Sequence, residues 1–193
     1  MKKYLLVDVD DTLLGWADGF KVFAEKELGK NLIGKPDQYC MSNWLGINKT
    51  EILNLIQDFN NNHEDFGNLK PILKAEIYLP KFKEGGYEIV AVTASSDKHK
   101  SIERRKNNLY NVFGKIFSDI HCVANAEDKK KHLQKYPPSI FVEDKIFNAE
   151  MGLEFNHKPI IIRQLHSIEH EPNYSHLTWV NDWEEIYEII NRK

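Results

Sequence analysis

Hydrophobic positions along this chain follow two rhythms. Short apolar runs occur at 4–9, 87–92, 120–123, 140–142, 159–162 and, more weakly, 177–180. Runs of this length, rich in valine and isoleucine, predict buried strands. Helical stretches separate the later ones. Residues 98–110 follow Ser95, Ser96 and Asp97, all good N-cap types. Residues 127–135 open with Glu127 and Asp128 and run into lysines, an order that complements the helix dipole. Residues 145–155 and 182–191 also read as helices. The β-α alternation from residue 87 onward predicts an α/β fold: a Rossmann-like, doubly wound parallel sheet with helices on both faces.

Residues 13–85 break that rhythm. They contain no convincing strand, but helical pieces are visible at 18–28, 48–60 and 71–84. The last begins with Pro71, a favourable first-turn residue, and ends at Gly85-Gly86. Residues 30–44 are irregular, and Asn60-Asn61-Asn62 reads as a short polar loop. The pattern predicts a core made of 1–14 and 71–193, with a small helical cap, 15–70, inserted after the first strand. In parallel sheets, ligands bind beyond the carboxyl ends of the strands, so such a cap would sit over the site.

Composition narrows the class. With 193 residues, 41% hydrophobic and 28% charged, the chain is long enough for one sizeable core plus an insertion. No apolar run reaches membrane-spanning length, and the N-terminus lacks a signal-peptide core. The two cysteines, Cys40 and Cys122, match no metal-ligand spacing and read as reduced thiols. A cytoplasmic protein is expected. The net charge of −3 gives no footprint for duplex nucleic acid.

The first strand runs directly into Asp8, Asp10 and Asp11. Clustered acids at the end of a buried strand are costly unless something neutralises them, and Mg²⁺ takes oxygen ligands of this kind. Asp8 and Asp10, two apart, point to the same side if strand geometry persists. Three further pieces follow later strands: Thr93, a lysine from Lys129-Lys130-Lys131, and Glu143-Asp144. Each alone has an ordinary reading: a strand-end threonine, a solvated helix face, a helix cap. Together, at one edge of a parallel sheet, they supply a nucleophile, an acid, a hydroxyl, a cation and carboxylates for a metal. Phosphoryl transfer needs that set.

In this order the four pieces resemble the motifs of the haloacid dehalogenase-like (HAD) hydrolases, mostly Mg²⁺-dependent phosphatases. The resemblance covers about residues 2–12 and 71–163. It implies that Asp8 attacks phosphorus and that Asp10 protonates the leaving oxygen and then activates water. Asp10 also favours a phosphatase over a dehalogenase, since the dehalogenase members lack this second acid. Thr12 would fix the motif's loop. Thr12, Thr93 and Ala94 would border the phosphoryl group, and Lys129, with Lys130 a close rival, would neutralise it. Mg²⁺ would sit between Asp8, the backbone carbonyl of Asp10, and Asp144, with Glu143 an alternative ligand or an outer-shell group. Asn148 completes an Asp-x-x-x-Asn pattern with Asp144, seen in some nucleotidase-like relatives.

The segment 69–79 and the short spacing from the lysine to Glu143 are similar to the 5′(3′)-deoxyribonucleotidase-type members. That likeness implies a small phosphomonoester substrate, a nucleoside monophosphate first. The alternatives are a phosphatase of sugar phosphates or other small metabolites, a polynucleotide end phosphatase, or a catalytically silent binding protein. The insertion is rich in aromatics: Trp16, Phe20, Phe23, Tyr39, Trp44, Phe59 and Phe66. Most are expected in the cap's own core, with one or two available to stack on a base. The basic run Lys98, Lys100, Arg104, Arg105, Lys106 reads as a solvated helix face. His166, His170 and His176 read as an exposed loop. Oligomeric state is not legible.

Overall fold

A computed structural model describes residues 2–38 and 40–192, so Tyr39 lies outside the described residues. Strand β1 (Lys3–Val7) is followed by helices α1 (Trp16–Leu28), α2 (Ser42–Leu45), α3 (Lys49–Asn62) and α4 (Ala75–Glu84). Then come β2 (Tyr87–Ala94), α5 (His99–Phe113), β3 (Phe117–Val123), α6 (Lys130–Leu133), β4 (Ile140–Glu143), α7 (Ile146–Leu153), β5 (Lys158–Ile162), α8 (Leu165–Ile168), β6 (Thr178–Val180) and α9 (Trp183–Asn191). The strands form one six-stranded sheet in the order β3-β2-β1-β4-β5-β6. All pairings are parallel, with Leu5 opposite Ile89 on one side and Ile140 on the other. The expected Rossmann-like fold is present, with the helical insertion after β1. No helix among the described residues is long and apolar enough to cross a membrane.

β1 is central, and its Leu5, Leu6 and Val7 are fully buried. That explains the unbroken apolar run, since a strand covered on both faces has no polar side. The order reverses beside β1, where crossovers leave to opposite sides, and a crevice opens there at the carboxyl ends of the strands. Glycine brings α7 close over β4: a Cβ on Gly152 would lie 2.7 Å from the Phe141 ring. This fixes the segment that follows Glu143.

The structure corrects several boundaries. Helix α4 begins at Ala75 rather than residue 71. Pro71 instead pairs with Leu14 in an isolated bridge, and Leu73 and Lys74 adopt left-handed conformations (φ 52° and 64°), which no helix can include. The expected helix 127–135 is a 3-10 turn, Ala126–Lys129, capped by Asn125, followed by the single turn α6. Asn60, Asn61 and Asn62 belong to α3, which starts with a capping box between Asn48 and Glu51. The insertion packs around Phe20, Phe23, Phe59 and Phe66, whose buried side chains are continuous with those of the sheet. Trp44 is half-buried and donates to Ile33 O, leaving Trp16 as the described aromatic of the insertion that reaches the crevice.

Candidate active site

Asp8 and Asp10 follow β1 at its carboxyl end. The Asp8 amide still donates to Val142 O at 2.9 Å, so Asp8 remains fixed to β4. The chain then tightens: Leu13 and Leu14 amides both donate to Val9 O at 2.9 Å. Asp11 makes that turn possible with φ 54°, a left-handed conformation that aspartate tolerates better than most side chains. Its carboxylate accepts from the Ala17 amide at the start of α1, at 3.0 Å. The loop after β1 is thereby tied to the insertion.

Lys129, only 1% exposed, donates to Asp8 Oδ1 and to Glu143 Oε1, both at 2.5 Å. Burial alone would lower the Lys129 pKa, but the Asp8 and Glu143 carboxylates outweigh it and keep the ammonium charged. Burial pushes the carboxyls of Asp8 and Glu143 upward, and Lys129 pulls each partly back. The other Glu143 oxygen accepts from the Asp144 and Lys145 amides at 3.2 Å. Asp8, Glu143 and Asp144 place one carboxylate oxygen each within 4.8 Å of one another. These three carboxylates outnumber the lysine that bridges two of them, which is the imbalance a divalent cation corrects. Asn148 Oδ1, buried beside them without a hydrogen-bond partner among the described residues, is a further oxygen for a metal's hydration shell. The donor set is all oxygen, so the residues fit Mg²⁺.

A cleft of about 310 Å³ opens onto this cluster. Asp8, Asp10, Lys129, Asp144 and Ala94 line its floor, and Trp16, Pro36, Gln38, Met41 and Ile56 line its insertion side. Thr12 and Thr93 lie behind the lining, fully buried, each with an Oγ1 that has no hydrogen-bond partner among the described residues. Thr12 O is held by the Trp183 indole N–H at 2.8 Å. Lys130 is not brought to the cleft. It pairs with Glu154 at 3.0 Å on the outer face of α6, so Lys129 alone of the two reaches Asp8.

Other groups at the site escaped the sequence pattern. Arg105, read as part of a solvated face, is 0% exposed and lies 2.5 Å from Asp10 Oδ1. His166, read as part of an exposed loop, has Nε2 3.1 Å from Asp144 Oδ2 and lines the cleft, whereas His170 and His176 face outward beside Glu169 and Glu150. Asn60 accepts from the Trp16 indole at 2.9 Å and donates to Ser95 O at 3.0 Å. It clips the insertion to the end of β2. No local signal marks these residues, because their roles depend on elements distant in sequence.

No protein-family model matches the chain, and no curated protein matches it. Solved structures do. A haloacid dehalogenase-like family hydrolase from Streptococcus pneumoniae superposes with TM-score 0.71 at 15% identity, covering 98% of this chain and 99% of that one. A HAD-hydrolase from Bacillus subtilis bound to magnesium gives 0.65 at 15% identity, covering 99% of each chain. A predicted phosphoglycolate phosphatase from Haemophilus somnus gives 0.65 at 14% identity, covering 98% of each. At such identities the likeness is one of architecture: this chain has the fold of the haloacid dehalogenase-like hydrolases, over its whole length.

Proposed function

We propose that the protein is a Mg²⁺-dependent phosphomonoester hydrolase working through an aspartyl-phosphate on Asp8. The observation that carries this reading is the buried arrangement of Asp8, Lys129, Glu143 and Asp144 beneath the cleft, with Asp10 beside it. A buried carboxylate held by an ammonium is aimed and partly neutralised, so it can approach an anionic phosphoryl group. Attack of an Asp8 oxygen on phosphorus breaks the bond to the leaving oxygen, which takes a proton from Asp10. Water then attacks the acyl phosphate while Asp10 takes its proton, releasing phosphate and restoring both side chains. Lys129 offsets charge on Asp8 and on the phosphoryl oxygens. The buried hydroxyls of Thr93 and Thr12, without hydrogen-bond partners among the described residues, are spare donors just behind the cleft. Asp8 and Asp144, with the Asp10 carbonyl, would hold Mg²⁺, which when bound supplies further charge neutralisation to the phosphoryl group. Glu143, committed to Lys129 and two amides, positions the lysine.

The finer reading is a nucleoside monophosphate as substrate. Trp16, Met41, Ile56 and Pro36 give the insertion side of the cleft an apolar, partly aromatic wall suited to a base, with Gln38 able to pair with its edge. A second reading, a small acidic phosphoester, draws on Lys145 at the cleft and on the predicted phosphoglycolate phosphatase among the similar structures.

The test is phosphate release from deoxynucleoside and ribonucleoside monophosphates, sugar phosphates, phosphoglycolate and 3′-phosphorylated oligonucleotides, with Mg²⁺ and with chelator. Mg²⁺-dependent release that is fastest with nucleotides is expected. Preference for phosphoglycolate would replace the nucleotide reading by the second one. Silence across the panel would overturn the phosphatase reading.

A further inference from the structure

Arg105 stands apart from the basic residues around it. Its guanidinium is wholly buried in the second turn of α5, and its Cζ lies 4.1 Å from the Phe66 ring centroid. Its Nη2 contacts Asp10 Oδ1 at 2.5 Å. Its Nε and Nη1 have no hydrogen-bond partner among the described residues. Burying an arginine is expensive, and leaving two of its nitrogens unpartnered adds to the cost. A fold tolerates that when the group serves a site. Arg105 does not line the cleft, whereas Asp10 does. The arginine therefore stands behind the carboxyl, not before the substrate.

We infer that Arg105 is the positioning residue of the general acid-base: clamped over Phe66, it fixes the Asp10 carboxyl through Oδ1 and leaves Oδ2 as the oxygen that exchanges protons with the leaving group and water. This rests on the phosphatase reading above. The geometry explains why an arginine is used. Its guanidinium packs over an aromatic ring while one nitrogen reaches a carboxylate, which a lysine does less well. Asp10 is otherwise free to turn: its side chain is 22% exposed, and among the described residues Arg105 is the side chain bonded to it. General acid catalysis requires the proton within hydrogen-bond reach of the departing oxygen, so a carboxyl that swings away loses that step.

The decisive readout is leaving-group dependence. An alkoxide such as the 5′-oxygen of a nucleoside departs only with a proton, whereas 2,4-dinitrophenolate departs without one. In Arg105→Met, kcat for thymidine 5′-monophosphate is expected to fall about a hundredfold, the lower range for losing an acid-base group. The first-turnover burst of 2,4-dinitrophenolate should change by less than about fivefold, because it reports attack by Asp8 before Asp10 is needed to activate water. Arg105→Lys should recover much of the loss. In an Asp10→Asn background, removing Arg105 should cost nothing further, since a residue acting through another is silent once that partner is gone. A loss of the dinitrophenolate burst as large as the loss on thymidine 5′-monophosphate, or additive losses in the double variant, overturns the proposal and leaves Arg105 a packing residue. A crystal structure of Arg105→Met tests the same point without turnover: the Asp10 carboxyl is expected to leave its wild-type position, and an unmoved carboxyl overturns it. Wild-type silence on both esters overturns the phosphatase reading instead, and that crystal structure still decides whether Arg105 holds Asp10.

Discussion

Lys129 Nζ lies 2.5 Å from Asp8 Oδ1, across 121 positions of sequence, and the same ammonium lies 2.5 Å from Glu143 Oε1. All three side chains are buried, so the lysine is the counter-charge on which two carboxylates depend. Removing the lone cation of a buried ion network strands its carboxylates and is more damaging than the network itself is stabilising. Lys129→Met is expected to cost about 3–5 kcal/mol in urea unfolding without Mg²⁺ and to abolish turnover. Lys130→Ala, on the outer face with Glu154, should leave activity within about twofold of wild type, as surface pairs contribute little. Equal effects of the two substitutions would mean that the lysine assignment is wrong.

Asp8→Asn keeps the shape of the side chain and removes its nucleophilicity. Turnover should fall by at least about a thousandfold, a barrier increase of about 4 kcal/mol. Thermal stability should not fall, because the amide relieves a carboxylate that burial disfavours beside Glu143 and Asp144. Residual turnover within tenfold of wild type would remove Asp8 as the nucleophile.

Mg²⁺ should stabilise the fold by mass action. At a hundred times its Kd the gain is about 2.7 kcal/mol, read as an upward shift in melting temperature that chelator reverses. Asp144→Asn should abolish most of that shift, since it removes one of the three clustered carboxylates. An unchanged titration would move the ligand role to Glu143.

Burial, aided by the Asp144 charge, pushes the Asp11 carboxyl up to about 8. A carboxyl raised in the folded state binds its proton more tightly there than in the unfolded chain. Its contribution to stability is full below its ordinary range near pH 4 and is lost as pH rises through about 8. The buried Glu143 shifts in the same direction. The metal-free protein should therefore melt at lower temperature at pH 8.5 than at pH 5. Asp11→Asn, which still offers an oxygen to the Ala17 amide, should flatten that slope. A metal-free protein that gains stability across this range would contradict the burial of ionisable carboxyls at the site.

Asn60 links the Trp16 indole to Ser95 O, and the Ser101 hydroxyl donates to Asn60 O at 2.6 Å. Asn60→Ala strands a part-buried indole N–H and a part-buried backbone carbonyl, at a cost of about 1 kcal/mol, the lower end for a group left unsatisfied. Because Trp16 lines the cleft, KM should rise more than kcat falls. A fall in kcat alone, with KM unchanged, would show that the clip does not bear on binding.

The sequence by itself determined the sheet and its edge. Uninterrupted apolar runs such as Leu5–Leu6–Val7 fit strands covered on both faces, and right-handed crossovers then bring the ends of β1, β2 and β4 together with whatever residues follow them. The positions of Asp8, Asp10, Thr93, Glu143 and Asp144 are consequences of that local pattern. The local pattern favours Lys129 but leaves Lys130 a close rival, because a 3-10 turn rather than a helix precedes α6 and its rotation decides which lysine faces inward. The start of α4 departs from the local pattern because the Leu14–Pro71 bridge, a long-range pairing, overrides the helix preference of Pro71. Arg105, His166 and Asn60 were legible only in three dimensions. A charged or amide side chain carries no periodic signature, and whether it meets water or a carboxylate is settled by what packs over it: Phe66 and Asp10 for Arg105, Asp144 for His166, Trp16 and Ser95 for Asn60.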